Sequence, residues 1–165
     1  MFKKFLIVAL LVLPLGVFAQ DKIAYVSTQE IVADMPETKA AYAELEREQK
    51  QVESELMTLE DEWSKKYKTF SEQSDTLIES IKTRRFQELQ ELRQRAESYQ
   101  QDSQQALQAK YNELFAPIHQ KLLDTIKAVG EENGFAYVME KGAFLFIATT
   151  ATDATPLVRR KLGLQ

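Results

Sequence analysis

The sequence has no cysteine, one histidine and only five glycines among 165 residues. The lack of cysteine excludes disulfide bonds, thiolate metal sites and a lipid-modified N-terminal cysteine. The glycines are scattered, so the chain has no glycine-rich phosphate-binding loop. His119 stands alone beside Pro117, and a lone histidine in a helix is more often a packing or surface residue than a base or ligand. The sequence therefore predicts no enzyme activity, no metal centre and no cofactor.

Residues 1–19 have the pattern of a secretory signal peptide. Two lysines precede an apolar run, and Val17-Phe18-Ala19 supplies the small residues that favour cleavage after Ala19. The apolar run is about 15 residues long, shorter than the roughly 20 needed to span a bilayer, and Pro14 interrupts it. An uncleaved membrane anchor is the weaker alternative. In a bacterium with two membranes, the sequence predicts release into the periplasm.

The mature chain predicted by this cleavage is acidic and of single-domain length. It has 146 residues, and losing the two lysines of the signal peptide changes the formal net charge from −4 to −6. Such a charge argues against nucleic-acid binding, which uses basic surfaces. A weak contact with a membrane surface stays open.

The middle of the chain is a long segment with almost no helix-breaking residues. Between Glu37 and Asn133 the only glycine is Gly130 and the only proline is Pro117, and apolar residues recur every three or four positions. This spacing predicts helices. A lapse in the pattern over residues 71–76 predicts a turn that folds them into an antiparallel hairpin. The hairpin is too long to be buried in so small a domain and must project, and the proline is expected to kink its second helix.

Short strand-like segments flank the helices. Residues 22–27 precede them, whereas Phe135–Glu140 and residues 143–148 follow and are predicted to form a β-hairpin through Lys141-Gly142. Thr155, as an N-cap before a proline, predicts a short terminal helix. A three-stranded sheet leaves edges and one face uncovered in a monomer. We therefore expect oligomerisation to close the sheets into a barrel-like core.

The predicted fold class is α+β and mostly α, with a small β-barrel-like oligomerisation body from which a long antiparallel α-helical hairpin projects. We call residues 20–36 and 118–165 the base, and residues 37–117 the arm, with its tip near residues 71–76. Apolar residues of the base strands are the candidates for the oligomer core. They are Ile23, Tyr25, Val26, Tyr137, Met139, Phe144, Phe146 and Ile147.

The distal part of the arm differs in charge from the rest of the chain. Between Ser64 and Phe86, six basic residues stand against three acidic ones, and aromatic residues are interleaved with them. Cations attract acidic segments and aromatic rings supply contact area, so this surface suits an unfolded apolar polypeptide. Alternatively, the aromatics pack between the helices and the cations are merely solvated. The candidate binding residues are Trp63, Lys65, Lys66, Tyr67, Lys68, Phe70, Lys82, Arg84, Arg85 and Phe86.

Several motifs and their order resemble the Skp/OmpH family of periplasmic chaperones. They are Lys22-Ile-Ala-Tyr-Val-Ser-Thr-Gln-Glu-Ile, the long hairpin, Phe115-Ala-Pro-Ile, Gly134-Phe-Ala-Tyr-Val-Met and Asp153-Ala-Thr-Pro-Leu-Val. The resemblance implies a homotrimer in which the strands build a central barrel and three hairpins surround a cavity. It further implies that unfolded outer-membrane proteins are held there without ATP. Well-known members are basic whereas this chain is acidic, so strong binding to acidic lipids is not carried over.

The sequence leaves two functions open. One is a holdase chaperone, and the other is a structural or adaptor protein whose coiled coil docks a fixed envelope partner. A fixed coiled-coil partner prefers an uninterrupted apolar stripe, whereas Arg85 and Ser103 occupy stripe positions here. The interrupted stripe favours the holdase.

Overall fold

The computed structural model describes residues 22–164, and the predicted signal peptide lies outside them. The elements are, in order, β1 (Lys22–Val26), α1 (Thr28–Asp34), α2 (Pro36–Gln73), α3 (Glu79–Asn133), β2 (Phe135–Glu140), β3 (Thr152–Asp153) and α4 (Thr155–Lys161). The protein is mostly helical with one small sheet, which confirms the predicted α+β class. The sheet of the single chain is open and not a closed barrel.

The two long helices pack against each other as an antiparallel hairpin. Pro36 occupies the first turn of α2, where its missing N–H costs no hydrogen bond. Gly134 ends α3 with a positive φ of 65°, a conformation that glycine adopts without strain. With 38 residues, α2 is roughly 57 Å long at 1.5 Å per residue. The hairpin therefore extends well beyond the sheet.

The turn of the hairpin lies slightly later than the sequence pattern indicates. The turn comprises residues 74–78, because α2 continues to Gln73 and Ile78 is the N-cap of α3. The helix α3 is continuous through Pro117, so any change of direction there stays a prediction.

The sheet is parallel throughout, with strand order β2-β1-β3. The predicted β-hairpin is therefore wrong: residues 144–151 contain no strand, and the third strand is Thr152–Asp153. The reason is local, because the Phe144 N–H bonds the Lys141 carbonyl and closes a single 3₁₀ turn after β2. This turn directs the chain away from β2, and residues 144–151 then carry it across to the far side of β1.

The core lies between one face of the sheet and the helices. Ala24 and Val26 point to this face and are buried. The core cluster contains Val26, Ile31, Met35, Ala41, Phe115, Ile118, Leu122, Val129 and Val158. Because Ala41 and Phe115 belong to it, the first turns of the arm are packed into the base.

Candidate functional site

The tip of the arm brings basic side chains of both helices to one groove. Lys65 and Lys66 of α2 and Arg85 of α3 line a groove of about 210 Å³. Its apolar lining consists of Phe70, Leu77 and Leu89. Positive charge therefore lies directly beside apolar surface at the end of the arm.

Some of these cations are compensated by neighbouring carboxylates. Lys66 lies 3.3 Å from Glu62, and Arg84 and Arg85 both approach Glu88, at 3.4 and 3.3 Å. All of these groups are at least partly exposed, and such surface pairs each contribute about 0–1 kcal/mol. Three further cations of the tip have no ion pair within residues 22–164. They are Lys65, Lys68 and Lys82.

The four aromatic residues of the tip divide into two groups. Trp63 and Phe70 are half-buried between the helices. In contrast, Tyr67 and Phe86 are 49% and 51% exposed. Trp63 stacks on Tyr67 with ring centroids 4.9 Å apart and an interplanar angle of 7°. Two of the four aromatic residues therefore pack between the helices and two are exposed, and client binding by the exposed pair stays a prediction.

Other exposed apolar residues of the arm were not among the predicted binding residues. Met57 and Ile78 are each 66% exposed, and Ile81 is 38% exposed. Ile81 lies in the first turn of α3 and Ile78 is its N-cap. Because the turn lies at residues 74–78, they stand at its free end and leave the helical interface. A shift in the turn by a few residues thus changes which side chains are available at the tip.

The sheet has one face that the chain itself leaves uncovered. Parallel register pairs Ile23 with Tyr137 and Tyr25 with Met139. These residues alternate with the buried Ala24 and Val26 in β1, and in β2 they flank the half-buried Val138. Tyr137 is 60% exposed and Met139 is 41% exposed. This open sheet face is a continuous apolar surface.

The remaining candidates for the oligomer core lie elsewhere. Val26 is on the opposite face, in the core beneath the helices, so its predicted placement is corrected. Phe144, Phe146 and Ile147 belong to no strand, and Phe146 is 81% exposed. The reason is the 3₁₀ turn after β2, which removes this segment from the sheet.

Ion pairs join the arm and the terminal helix to the rest of the base. A hydrogen bond from Arg159, and then its charge, lowers the pKa of Asp34 below the ordinary value of 3.8. A hydrogen bond from Lys121, reinforced by the backbone N–H of Glu37 itself, lowers the pKa of Glu37 below 4.5. Both carboxylates are therefore ionised at neutral pH and hold α1 to α4 and α2 to α3.

Residues 22–164 contain neither a candidate metal-binding cluster nor a helix that could span a membrane. No group of three or more histidine, aspartate or glutamate side chains there has the geometry to hold a metal ion. Within the same residues, every helix is too short or too polar to cross a bilayer.

Comparisons with known proteins identify the family. Residues 22–162 match the family model of OmpH, described as outer membrane protein (OmpH-like). A protein from Photorhabdus laumondii named chaperone protein Skp is 26% identical over 149 residues, which is 88% of each chain. The chaperone protein Skp of Pectobacterium atrosepticum is 27% identical over 151 residues, 89% of this chain and 88% of that one.

A solved structure shows the same fold. The crystal structure of an OmpH-like protein from Caulobacter crescentus superposes with a TM-score of 0.76 at 20% identity, covering 87% of this chain and 85% of the other. The family model spans nearly all of the described residues. The chain therefore belongs to the Skp/OmpH family of chaperones, as its motifs predicted.

Proposed function

We propose that this chain is a periplasmic holdase, which binds unfolded outer-membrane proteins between helical arms and prevents their aggregation without ATP and without catalysing a reaction. It acts as a homotrimer. The observation that carries the proposal is the tip of the arm, which combines exposed apolar side chains with a basic groove. Tyr67, Ile78 and Phe86 are exposed there, and Lys65, Lys66 and Arg85 line the groove.

Binding at such a surface is made of many small contributions. Burial of apolar surface is worth about 25 cal/mol per Å², and exposed ion pairs add at most about 1 kcal/mol each. No single contact holds the client, so segments of the client detach and rebind independently. A folding site that buries more of the client then competes successfully, and the client leaves without an energy source.

The open sheet face supports the trimer. Ile23, Tyr25, Tyr137 and Met139 form an apolar surface on a sheet of only three strands. Three copies that bring these faces together would bury them in a common core, and the arms would then surround one cavity. The cavity would be lined by the tips and by the sides of the arms.

The test is the aggregation of a urea-unfolded outer-membrane β-barrel protein diluted into buffer without nucleotide. Light scattering is followed with and without the mature chain, and the mass of the soluble complex is measured in parallel. We expect suppressed scattering and a complex of one client with three subunits. Unchanged scattering in the presence of the folded protein would contradict the proposal and favour an adaptor with a folded partner.

A matched pair of variants separates the tip from apolar surface in general. Replacing Ile78 and Phe86 by glutamine removes exposed apolar area at the tip. Replacing Tyr42 and Leu123 by glutamine removes apolar side chains of similar exposure near the base. We expect the first variant to need several-fold more chaperone for half-suppression of scattering and the second to resemble the wild type. Equal losses in both variants would show that the tip is not the binding surface.

A further inference from the structure

A second groove lies between the two helices of the arm, farther from the tip. Its volume is about 410 Å³, and the buried side chains of Leu59 and Leu92 form its floor. Trp63 lines it from α2, where its ring is held by stacking on Tyr67. From α3 comes Ala96, whose methyl group is too small to fill the space between the helices. The groove is the consequence of an alanine at a position of the helical interface where larger apolar residues usually pack.

The rim of this arm groove is acidic. Glu60 lines it, and Asp61 follows in the sequence. Arg93 is engaged by Glu97 at 3.0 Å, whereas Glu60 and Asp61 have no ion pair within residues 22–164. Uncompensated negative charge therefore lies beside an apolar cleft, the reverse of the basic groove at the tip.

We propose that the arm groove is a subsite for an aromatic side chain that has a lysine or arginine next to it in an unfolded polypeptide. This subsite rests on the proposed holdase function and assigns it a sequence preference. An opening of this size accommodates one aromatic side chain, which offset or edge-to-face contact with Trp63 would hold. The neighbouring cation would then meet the carboxylate of Glu60 at the rim of the groove.

The two grooves consequently select different segments of one client. Segments with acidic residues are bound at the tip, and aromatic residues with basic neighbours are bound along the side of the arm. An extended polypeptide that alternates in charge would contact both grooves of the same arm.

The fluorescence of Trp63 can report binding in the arm groove, because Trp63 is the one tryptophan of the chain. The ligand is a tryptophan-free Gly-Ser peptide of about 20 residues, which behaves as a flexible coil, with repeated Phe-Lys pairs. A peptide of the same length with Phe-Glu pairs is the comparison. Titration is followed by the emission of Trp63 in the wild-type protein, in Ala96→Leu and in the control Ala106→Leu. Ala106 is an exposed alanine of the same helix and lines neither groove.

We expect the Phe-Lys peptide to bind wild type and Ala106→Leu equally and Ala96→Leu about tenfold more weakly, a change of about 1.4 kcal/mol. In Glu60→Lys the preference should shift toward the Phe-Glu peptide. Equal affinity of Ala96→Leu and wild type would overturn the subsite. Equal affinity of the wild type for both peptides would also overturn it, and that comparison does not depend on the folding of any variant.

The light-scattering assay separates this inference from the proposed function. Wild-type protein that suppresses aggregation but fails the peptide tests retains the holdase function and loses only the subsite. Wild-type protein that does not suppress aggregation loses the proposed function itself, whatever the peptides show.

Discussion

The backbone N–H of Ser27 donates a 3.0 Å hydrogen bond to the hydroxyl oxygen of Thr155, a residue 128 positions later in the chain. Both residues are buried. Each stands next to the start of a helix, Ser27 before α1 and Thr155 at the beginning of α4. The bond therefore ties the two ends of the described chain together.

Thr155→Val should destabilise the base. The substitution keeps the shape of the side chain and leaves the Ser27 N–H buried without an acceptor, which costs about 1–3 kcal/mol. Urea unfolding at fixed protomer concentration measures the loss as a lower midpoint. Thr155→Ser is the control, because it retains the hydroxyl and should lose less. An unchanged midpoint in Thr155→Val would mean that the amide finds another acceptor.

Thr38→Val should instead stabilise the protein. Thr38 is buried at the start of α2, and its hydroxyl has no hydrogen-bond partner in the structure. Replacing an unsatisfied hydroxyl by a methyl group removes a desolvation cost, so we expect a gain of about 1 kcal/mol. The urea midpoint should rise without a change in slope. A lower midpoint would indicate that the hydroxyl is satisfied in the assembled protein.

Acid should weaken the ion pairs of the base. Asp34 and Glu37 have lowered pKa values in the folded chain, so their contribution is complete above their ordinary pKa values and is lost as pH falls through the folded ones. Asp34→Asn should therefore have a lower Tm than wild type at neutral pH. The difference should shrink as the pH falls below the ordinary value of 3.8 and then through the lower pKa that Asp34 has in the folded chain. Thermal unfolding between these pH values tests this, and a constant difference in Tm would contradict it.

Tyr137→Glu should dissociate the oligomer. The tyrosine is largely exposed in the single chain, so the fold should survive, but a carboxylate in an apolar interface would be buried without a partner. Such a penalty of roughly 3–5 kcal/mol raises the dissociation constant more than a hundredfold. Light scattering coupled to gel filtration gives the mass. Ile78→Glu places the same charge on an equally exposed residue at the tip and should leave the mass unchanged.

Reversing the charge of Lys65, Lys66, Arg84 and Arg85 should weaken client binding and leave the oligomer intact. The effect should be largest at low salt and should shrink as the ionic strength rises, because the groups are exposed. A simpler test compares two double variants, Lys65→Glu/Lys66→Glu at the tip and Lys39→Glu/Lys127→Glu near the base. The two variants have the same net charge. Client affinity measured by fluorescence anisotropy should fall in the first pair only. Equal client affinity of the two double variants would show that the positive charge of the tip does not contribute to client binding.

The sequence predicted the long elements because their signals are repeated many times. The prediction of α2 and α3 rests on many regularly spaced apolar residues. Pro36 and Gly134 mark two of the helix ends by backbone chemistry that depends on no distant contact. The strands β1 and β2 were also predicted. Local pattern is sufficient for elements of this kind.

The third strand could not be predicted, because it has no pattern of its own. Thr152–Asp153 lies in a polar loop and becomes a strand by lying beside β1, where the Ala154 N–H bonds the Tyr25 carbonyl at 2.8 Å. The apolar residues 143–148 offered a stronger local signal in the wrong place. Thr155 was predicted as the N-cap of the terminal helix, but the N-cap is Ala154. The hydroxyl of Thr155 instead accepts a hydrogen bond from Ser27, which is distant in the sequence.

The candidate binding surface was predicted only in part. Composition identified the basic, aromatic end of the arm, but the exposure of Ile78 depends on where the turn begins. The arm groove depends on which residue faces Ala96 across the interface, and that relation requires the register of the two helices.

The parallel pairing of β1 with β2 has a consequence for how the chain folds. The arm is inserted between two neighbouring strands, so the sheet closes a loop that contains both long helices, and closing such a loop costs entropy. Helical contacts along α2 and α3 are local and form early. Each turn of α2 that packs against α3 brings the two strands that flank the arm, which contain Val26 and Phe135, nearer to each other. The base then assembles last, after the C-terminal strand and helix have arrived. For a chain threaded through a membrane from its N-terminus, the arm exists before the sheet that anchors it.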